Sequence, residues 1–197
     1  MQASPERGRS MRVFIVTSNR AKYLEIADIL DKHGIEAVHK RMELLEYGDT
    51  IQRRVRSKAQ AAYNIMTGPV VADDTGVFFH AYDNFPGHLP KRVFREIGFD
   101  GLMKKLDGKD RTASFRTMLC YYTDFGPQFF QGEMKGRIDV RVHPERVPGL
   151  PYERIFIPDG IDRAVSEMTF EEKQKISHRA DAARKLADFI TRRLHNK

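Results

Sequence analysis

The stretch VVADDTGVFF, residues 70–79, sets two adjacent carboxylates, Asp73 and Asp74, and a Thr-Gly pair between two apolar runs of β-branched and aromatic residues. Two anions at the end of a buried strand repel each other and are costly to desolvate, so the pattern calls for a compensating metal, base or hydrogen-bond donor. Oxygen-only ligands with open positions suit a magnesium ion shared with substrate phosphates. Asp73 or Asp74 could bind such an ion or orient a water, and Asp74 could take its proton. The competing reading is turn chemistry, since Asp residues before Thr-Gly are common turn formers. ELLEYGD, residues 43–49, supplies further carboxylates. Glu46 among them could complete a metal site, although acidic loop residues are more often simply solvated.

Two other stretches carry candidate chemistry. TSNRAK, residues 17–22, falls where a strand feeds a helix, a junction that presents unpaired backbone amides and a positive partial charge to a phosphate group. Thr17 and Asn19 add donors there and Lys22 adds a cation; the plainer reading is that Asn19 caps the helix and Lys22 is solvated. In EMTFEEKQKISHRADA, residues 167–182, Lys173, His178 and Arg179 lie near the junction of two helical segments. His-Arg at a helix N-terminus is electrostatically unfavourable, and an anionic or acceptor-rich ligand would offset that cost. An ordinary basic helix surface is the alternative.

The elements that must position these residues are legible in outline. MRVFIVTSN predicts a buried strand running into a turn, and RAKYLEIADILDKHG an amphipathic helix with Leu24, Ala27 and Leu30 on one face and Gly34 as its stop. IEAVHK reads as a second strand, and TIQRRVRSKAQAAYNIM as a helix with Ile51, Val55, Ala59 and Ala62 facing a core. GPVVADD is a strand after a Gly-Pro breaker, with GVFFHAY pairing with a neighbour. After the loop DNFPGHLPK, RVFREIGFDGLMKKL is helical with an interruption at Gly98. TASFRTMLCYYT and QFFQGEMKGRIDVRV are long strands, the second marked by alternating Ile138, Val140 and Val142. A Pro-rich and Gly-rich loop with a short apolar strand follows. Two helices close the chain, the first with Thr169 and Glu172 spaced as a capping box and the second capped by Ser177. The expectation is one α/β domain with a mixed sheet, divided into two lobes around a cleft. Residues 1–10 are expected as a flexible basic extension and residues 11–197 as the domain.

Composition narrows the classes. A chain of 197 residues accommodates one domain with a real core, and no apolar run is long enough to span a bilayer. The polar N-terminus lacks the apolar centre of a signal peptide and the single cysteine, Cys120, permits no intrachain disulfide, which favours the cytoplasm. The net charge of +7 asks for an anionic partner. Basic and aromatic residues in FRTMLCYYTDFGPQFF could form a nucleic-acid stacking platform, but they alternate as core-facing strand residues do, so polynucleotide binding is not the favoured function. His33, His39, His80, His88, His143 and His195 read as surface or packing residues.

At TSNRAK, VVADDTGVFF, FPG, FIPDG and SEMTFEEKQKISHRADA, and in the spacing between them, the chain resembles the inosine triphosphate pyrophosphatase family over about residues 11–190. The resemblance implies a two-lobed α/β fold around an elongated mixed sheet with a central substrate cleft, usually in a homodimer. It also implies magnesium-dependent hydrolysis of a non-canonical purine nucleoside triphosphate to monophosphate and pyrophosphate. Carried over by position, Thr17, Ser18, Asn19 and Lys22 would bind the triphosphate with Lys58. Asp74 would bind metal and activate water, Lys22 would share in catalysis, and Glu46 would be the second metal ligand. Thr75, Tyr152 and Glu153 would contact substrate, and Lys173, His178 and Arg179 would surround the nucleobase. The chain departs from the family at Leu150-Pro151-Tyr152-Glu153, where Phe-Gly-Tyr-Asp is usual, and at Arg53-Arg54-Val55, where Glu-Asn-Ala is usual. The first departure opens the alternatives of altered base specificity, towards pyrimidine or modified nucleotides, and of a nucleotide-binding protein without hydrolysis.

Overall fold

The third strand organises the molecule. In the computed structural model, which describes residues 11–44, 47–145 and 150–195, VVADDTGVFF is one uninterrupted strand, β3 (Val70–Phe79). The expected Thr-Gly turn does not form, because Asp74, Thr75 and Gly76 pair in register with Met118, Thr117 and Arg116. β1 (Arg12–Val16), helix α1 (Arg20–Lys32), β2 (Glu36–Lys40) and helix α2 (Ile51–Tyr63) precede it. β4 (Pro86–Gly87), helix α3 (Pro90–Lys105) and the long strands β5 (Thr112–Thr123) and β6 (Gly126–Ile138) follow. β7 (Phe156–Pro158) and helices α4 (Phe170–Ile176) and α5 (His178–His195) complete the described elements.

The sheet order is β2-β1-β3-β5-β6-β7, with β4 paired to β3. β1 pairs in parallel with both β2 and β3, and β3, β5, β6 and β7 are antiparallel. The chain therefore leaves β1 to one side for β2 and returns to the other for β3. In open α/β sheets, the carboxyl ends of strands at such a reversal are where ligands bind. This is the α/β mixed sheet expected, and among the described residues no helix is long and apolar enough to cross a membrane.

Side-chain alternation along β3 divides the molecule into lobes. On one face Val71 belongs to a core with Ile15, Ile26, Leu30, Leu186 and Ile190, which docks α1 and α5 on the sheet. Further along that face Val77 and Phe79 enter a second core with Leu102, Phe115, Phe156 and Tyr152. Between the two cores, still on that face by the two-residue period, stand Asp73 and Thr75. The opposite face carries Ala72 and Val70, packed with Val55, Ala59 and Ala62 of α2.

Three expectations need correction. Leu24 is 41% exposed, and the buried face of α1 is made by Glu25, Ile26, Ala27, Ile29 and Leu30. β6 ends at Ile138, so the alternation through Val140 and Val142 does not continue the strand, and Val140 is 67% exposed. Asp73 and Asp74 are not at a strand end; they lie inside β3, just beyond Ala72, the last residue paired with β1. The interruption at Gly98 is found inside α3, where that residue has φ 60°.

The start of α5 lies directly on β6. A Cβ at Gly132 would stand 1.9 Å from the His178 carbonyl oxygen and 2.6 Å from the Ala182 nitrogen, both backbone atoms that cannot swing aside. Gly132→Ala is therefore expected to lose at least about 3 kcal/mol, the upper range for overpacking, read as a lower urea midpoint. An unchanged midpoint would mean that the helix does not depend on this close approach.

Candidate active site

The polar row between the cores is built by four segments. β1 ends at Val16, and the next residues turn into α1 through Asn19, whose Oδ1 accepts from the amides of Ala21 at 2.9 Å and Lys22 at 3.3 Å. Thr17 is buried, its Oγ1 accepting from the Asn19 amide at 3.2 Å and its carbonyl accepting from His39 Nε2 at 2.9 Å. Ser18 is exposed in the turn. Asn19 thus caps the helix, as the plainer sequence reading held, but Lys22 is not solvated: its Nζ lies 2.6 Å from Asp73 Oδ2.

Asp73 is 1% exposed. Lys58 of α2 donates to its backbone carbonyl at 3.1 Å, and Arg179 Nε approaches its carboxylate at 3.9 Å. Burial alone would raise its pKa, but Lys22, Lys58 and Arg179 outweigh burial and hold the carboxyl well below the ordinary carboxylate range. Asp74 points to the opposite face, where Arg54 Nε donates to Oδ2 at 3.2 Å and the Thr75 amide donates to Oδ1 at 2.9 Å. The two anions therefore do not share a site. Alternation sends each to its own cation.

A second buried charge group extends the row. Glu25 accepts from Arg179 Nη1 at 2.7 Å, from Lys173 Nζ at 3.0 Å and from Ser177 Oγ at 3.0 Å. Lys173 also reaches Glu153 at 2.8 Å. Burial works against the Glu25 charge, and Arg179 and Lys173 overcome it, so its pKa also falls. Thr75 Oγ1 meets Thr117 Oγ1 at 2.8 Å and accepts from Arg179 Nη2 at 3.3 Å. Thr117 Oγ1 is 2.6 Å from His178 Nδ1, and the His178 ring stacks on Phe115. Burial and the nearby Arg179, Lys173 and Lys22 push the His178 pKa well down, which keeps the ring neutral. Ser177 Oγ accepts from the amides of Arg179 and Ala180, capping α5. The cost expected for His-Arg at a helix start is met within the fold by Glu25 and Asp73.

The structure thus brings together Thr17, Asn19, Lys22, Lys58, Thr75, Lys173, His178 and Arg179, with Glu153 joined through Lys173. It does not bring Tyr152 to this row: the ring packs edge-on to Phe79 and Phe94 and its hydroxyl donates to the Pro90 carbonyl at 3.1 Å. Glu46 lies outside the described residues, and among those described no group of three or more His, Cys, Asp or Glu could by itself hold a metal. Sequence reasoning missed Glu25 and Thr117, and it singled out Arg54 only as part of the departure at Arg53-Arg54-Val55, without its partner Asp74. Glu25 had a signal, because it shares a helix face with Ile29 one turn on and is therefore an acid on the buried face. A cleft of about 190 Å³ opens beside the row, lined by Lys22, Arg54, Asp74, Thr75, His88, Lys91 and Arg95 among others.

Buried cations beside a capped helix start, at the carboxyl ends of parallel strands, define a phosphate-handling α/β protein. The sequence profile of the Ham1 family matches residues 13–189, and the chain belongs to that family. A dITP/XTP pyrophosphatase of Saccharolobus solfataricus is 36% identical over 184 residues, covering 92% of this chain and 95% of the relative. One from Methanopyrus kandleri is 35% identical over 182 residues, covering 91% and 96%. A HAM1 protein structure from Coxiella burnetii superposes with a TM-score of 0.77 at 23% identity, covering 92% of this chain and 99% of that one. A structure titled nucleoside-triphosphatase / dITP/XTP pyrophosphatase from Mycobacterium abscessus gives 0.65 at 28% identity, covering 91% and 98%.

Because the folded pKa values of Asp73 and Glu25 lie below their ordinary ones, the stability they contribute is full above about pH 5. It drains as the pH falls through the lower folded values. Glu25→Gln, which leaves Lys173 and Arg179 less well answered, is expected to cost about 3 kcal/mol at neutral pH. It should also flatten the fall of the melting temperature in acid. Thermal denaturation from pH 7 downwards checks both, and an unchanged acid slope would remove Glu25 from the account.

Proposed function

We propose that this chain hydrolyses non-canonical purine nucleoside triphosphates, of the dITP and XTP kind, to the monophosphate and pyrophosphate. The observation that carries the reading is the buried row of Lys22, Asp73, Thr75 and Arg179 opening onto the cationic cleft; the activity for which the relatives are named supports it. In this reading the phosphates lie in the cleft against Lys22, Lys58 and the α1 start at Thr17, Ser18 and Asn19. Asp74 orients a water and takes its proton as the water oxygen attacks the α-phosphorus. The bond from that phosphorus to the bridging oxygen breaks, and pyrophosphate leaves with its new charge held by lysine. Lys173, His178 and Arg179 take the base, Lys173 and Arg179 as donors to a keto oxygen.

The donor chemistry suits a magnesium ion that keeps open positions for phosphate oxygens. Asp74 borders the cleft, so its carboxylate is an oxygen donor on the wall where the phosphates would lie. Asp74 would hold the ion, with Glu46 as the second carboxylate implied by the resemblance. When bound, it would draw charge off the phosphates and lower the pKa of a bound water. The assembly we propose is a homodimer, on the family resemblance.

Pyrophosphate release across inosine, xanthosine, deoxyuridine and thymidine triphosphates and the four standard ribonucleotides tests the reading. The expected result is a preference for inosine and xanthosine, abolished by chelation. Asp74→Asn should lower kcat by at least about 100-fold, the usual scale for a lost general base. Full turnover of Asp74→Asn at saturating magnesium would remove Asp74 from the chemistry. A preference for a pyrimidine would instead assign altered base specificity.

A further inference from the structure

A second cavity, of about 100 Å³, lies between α1 and the segment leading into α4, and Glu153 and Lys173 line it together with apolar side chains. Leu24 of α1 and Phe170, the first residue of α4, stand among those apolar walls, with Val165 and Met168. Leu24 is 41% exposed and Phe170 38% exposed, large apolar surfaces that a ligand would remove from water.

Phe170 is held where it stands. The Thr169 hydroxyl accepts from the Glu172 amide at 3.3 Å and Glu172 Oε2 accepts from the Thr169 amide at 2.9 Å, while Arg163 donates to Glu172 Oε1 at 2.5 Å. The start of α4 is thus fixed from both directions. The start of α1 links the slot to the phosphate cleft: Ala21 lines the slot and the next residue, Lys22, lines the cleft. Its chemistry is two-sided: apolar walls suit the faces of a flat ring, and the Lys173 ammonium suits a keto oxygen on its edge. That ammonium has three N–H donors, of which Glu25 and Glu153 engage two. The aromatic ring of the neighbouring loop, Tyr152, is already committed to the second core.

We infer that Leu24 and Phe170 form the apolar walls of the nucleobase subsite, and that Phe170 is a specificity-determining residue that holds the base against the Lys173 edge. The inference rests on the nucleotide reading above and deepens it. Steady-state kinetics of wild type, Phe170→Ala, Phe170→Tyr and Leu24→Ala with dITP test it, with inorganic tripolyphosphate as a competing ligand that lacks a base. Phe170→Ala should raise KM for dITP about tenfold, the scale of a lost base-stacking contact, while kcat stays within about twofold, the signature of lost ground-state binding. Inhibition by tripolyphosphate should not change, and Phe170→Tyr should restore KM. An unchanged KM, or equal weakening of dITP and tripolyphosphate, would overturn the assignment, the second outcome marking Phe170 as structural. If wild type does not turn over dITP, calorimetric titration of dITP into wild type and Phe170→Ala separates the two claims. Weaker binding by the variant alone keeps the subsite and removes hydrolysis, whereas no binding to wild type removes both.

Discussion

The structure depends on keeping charge buried on one face of β3 between two apolar cores. Asp73 and Glu25 are almost wholly removed from water, and an unpaired buried carboxylate costs several kcal/mol. The cost is offset only because Lys22, Lys173 and Arg179 arrive from α1, α4 and α5 together. No one of these helices can dock correctly without the others, since each contributes a charge whose partner sits on a neighbour. Gly132 belongs to the same constraint: it lets the α5 backbone close onto the sheet opposite Thr117, the residue that meets His178.

Adjacency in sequence and adjacency in space differ sharply here. Asp73 and Asp74 are neighbours in the chain, yet the pleat turns one towards α1 and α5 and the other towards α2. The consequence is a division of labour. Asp73 is engaged by Lys22, which anchors the start of α1 to the sheet, whereas Asp74 borders the cleft with Arg54. A single strand thus fixes one carboxylate inside the fold and turns the next towards the cleft, within two residues.

Local patterns were legible where the cause was local. The capping box at Thr169 and Glu172, the Ser177 cap and the glycine break in α3 follow from short-range hydrogen bonding and backbone freedom, and all are present. The Thr-Gly pair was misleading because its turn propensity is overridden by full cross-strand pairing with Thr117 and Arg116 of β5, distant in sequence. Leu24 was misassigned because a helix face chosen by apolar residues alone leaves Glu25 outside, and the buried face here is partly charged. The cluster of Lys22, Lys173 and Arg179 was visible as candidate residues, but their carboxylate partners were not. An ion pair between residues 25 and 179 leaves no periodic trace in either segment.

The charge of the cleft bears on which anion the protein can select. Part of the net charge of +7 is concentrated in a concave wall made by Lys22, Arg54, Lys91 and Arg95, near the start of a helix with no acidic residue in its first turn. A concave, low-dielectric wall focuses the field more than the same charges on a flat face. A compact polyphosphate fits that geometry. An extended nucleic-acid backbone would instead need cations spaced along an open groove. Of the aromatic residues that suggested a stacking platform, Phe115 and Tyr121 are buried in the two cores and Phe129 and Phe130 pack against core clusters, whereas Phe125 is exposed with Arg193 over its ring. Phe115 and Tyr121 thus belong to the packing of the two lobes, and neither lines the cationic cleft.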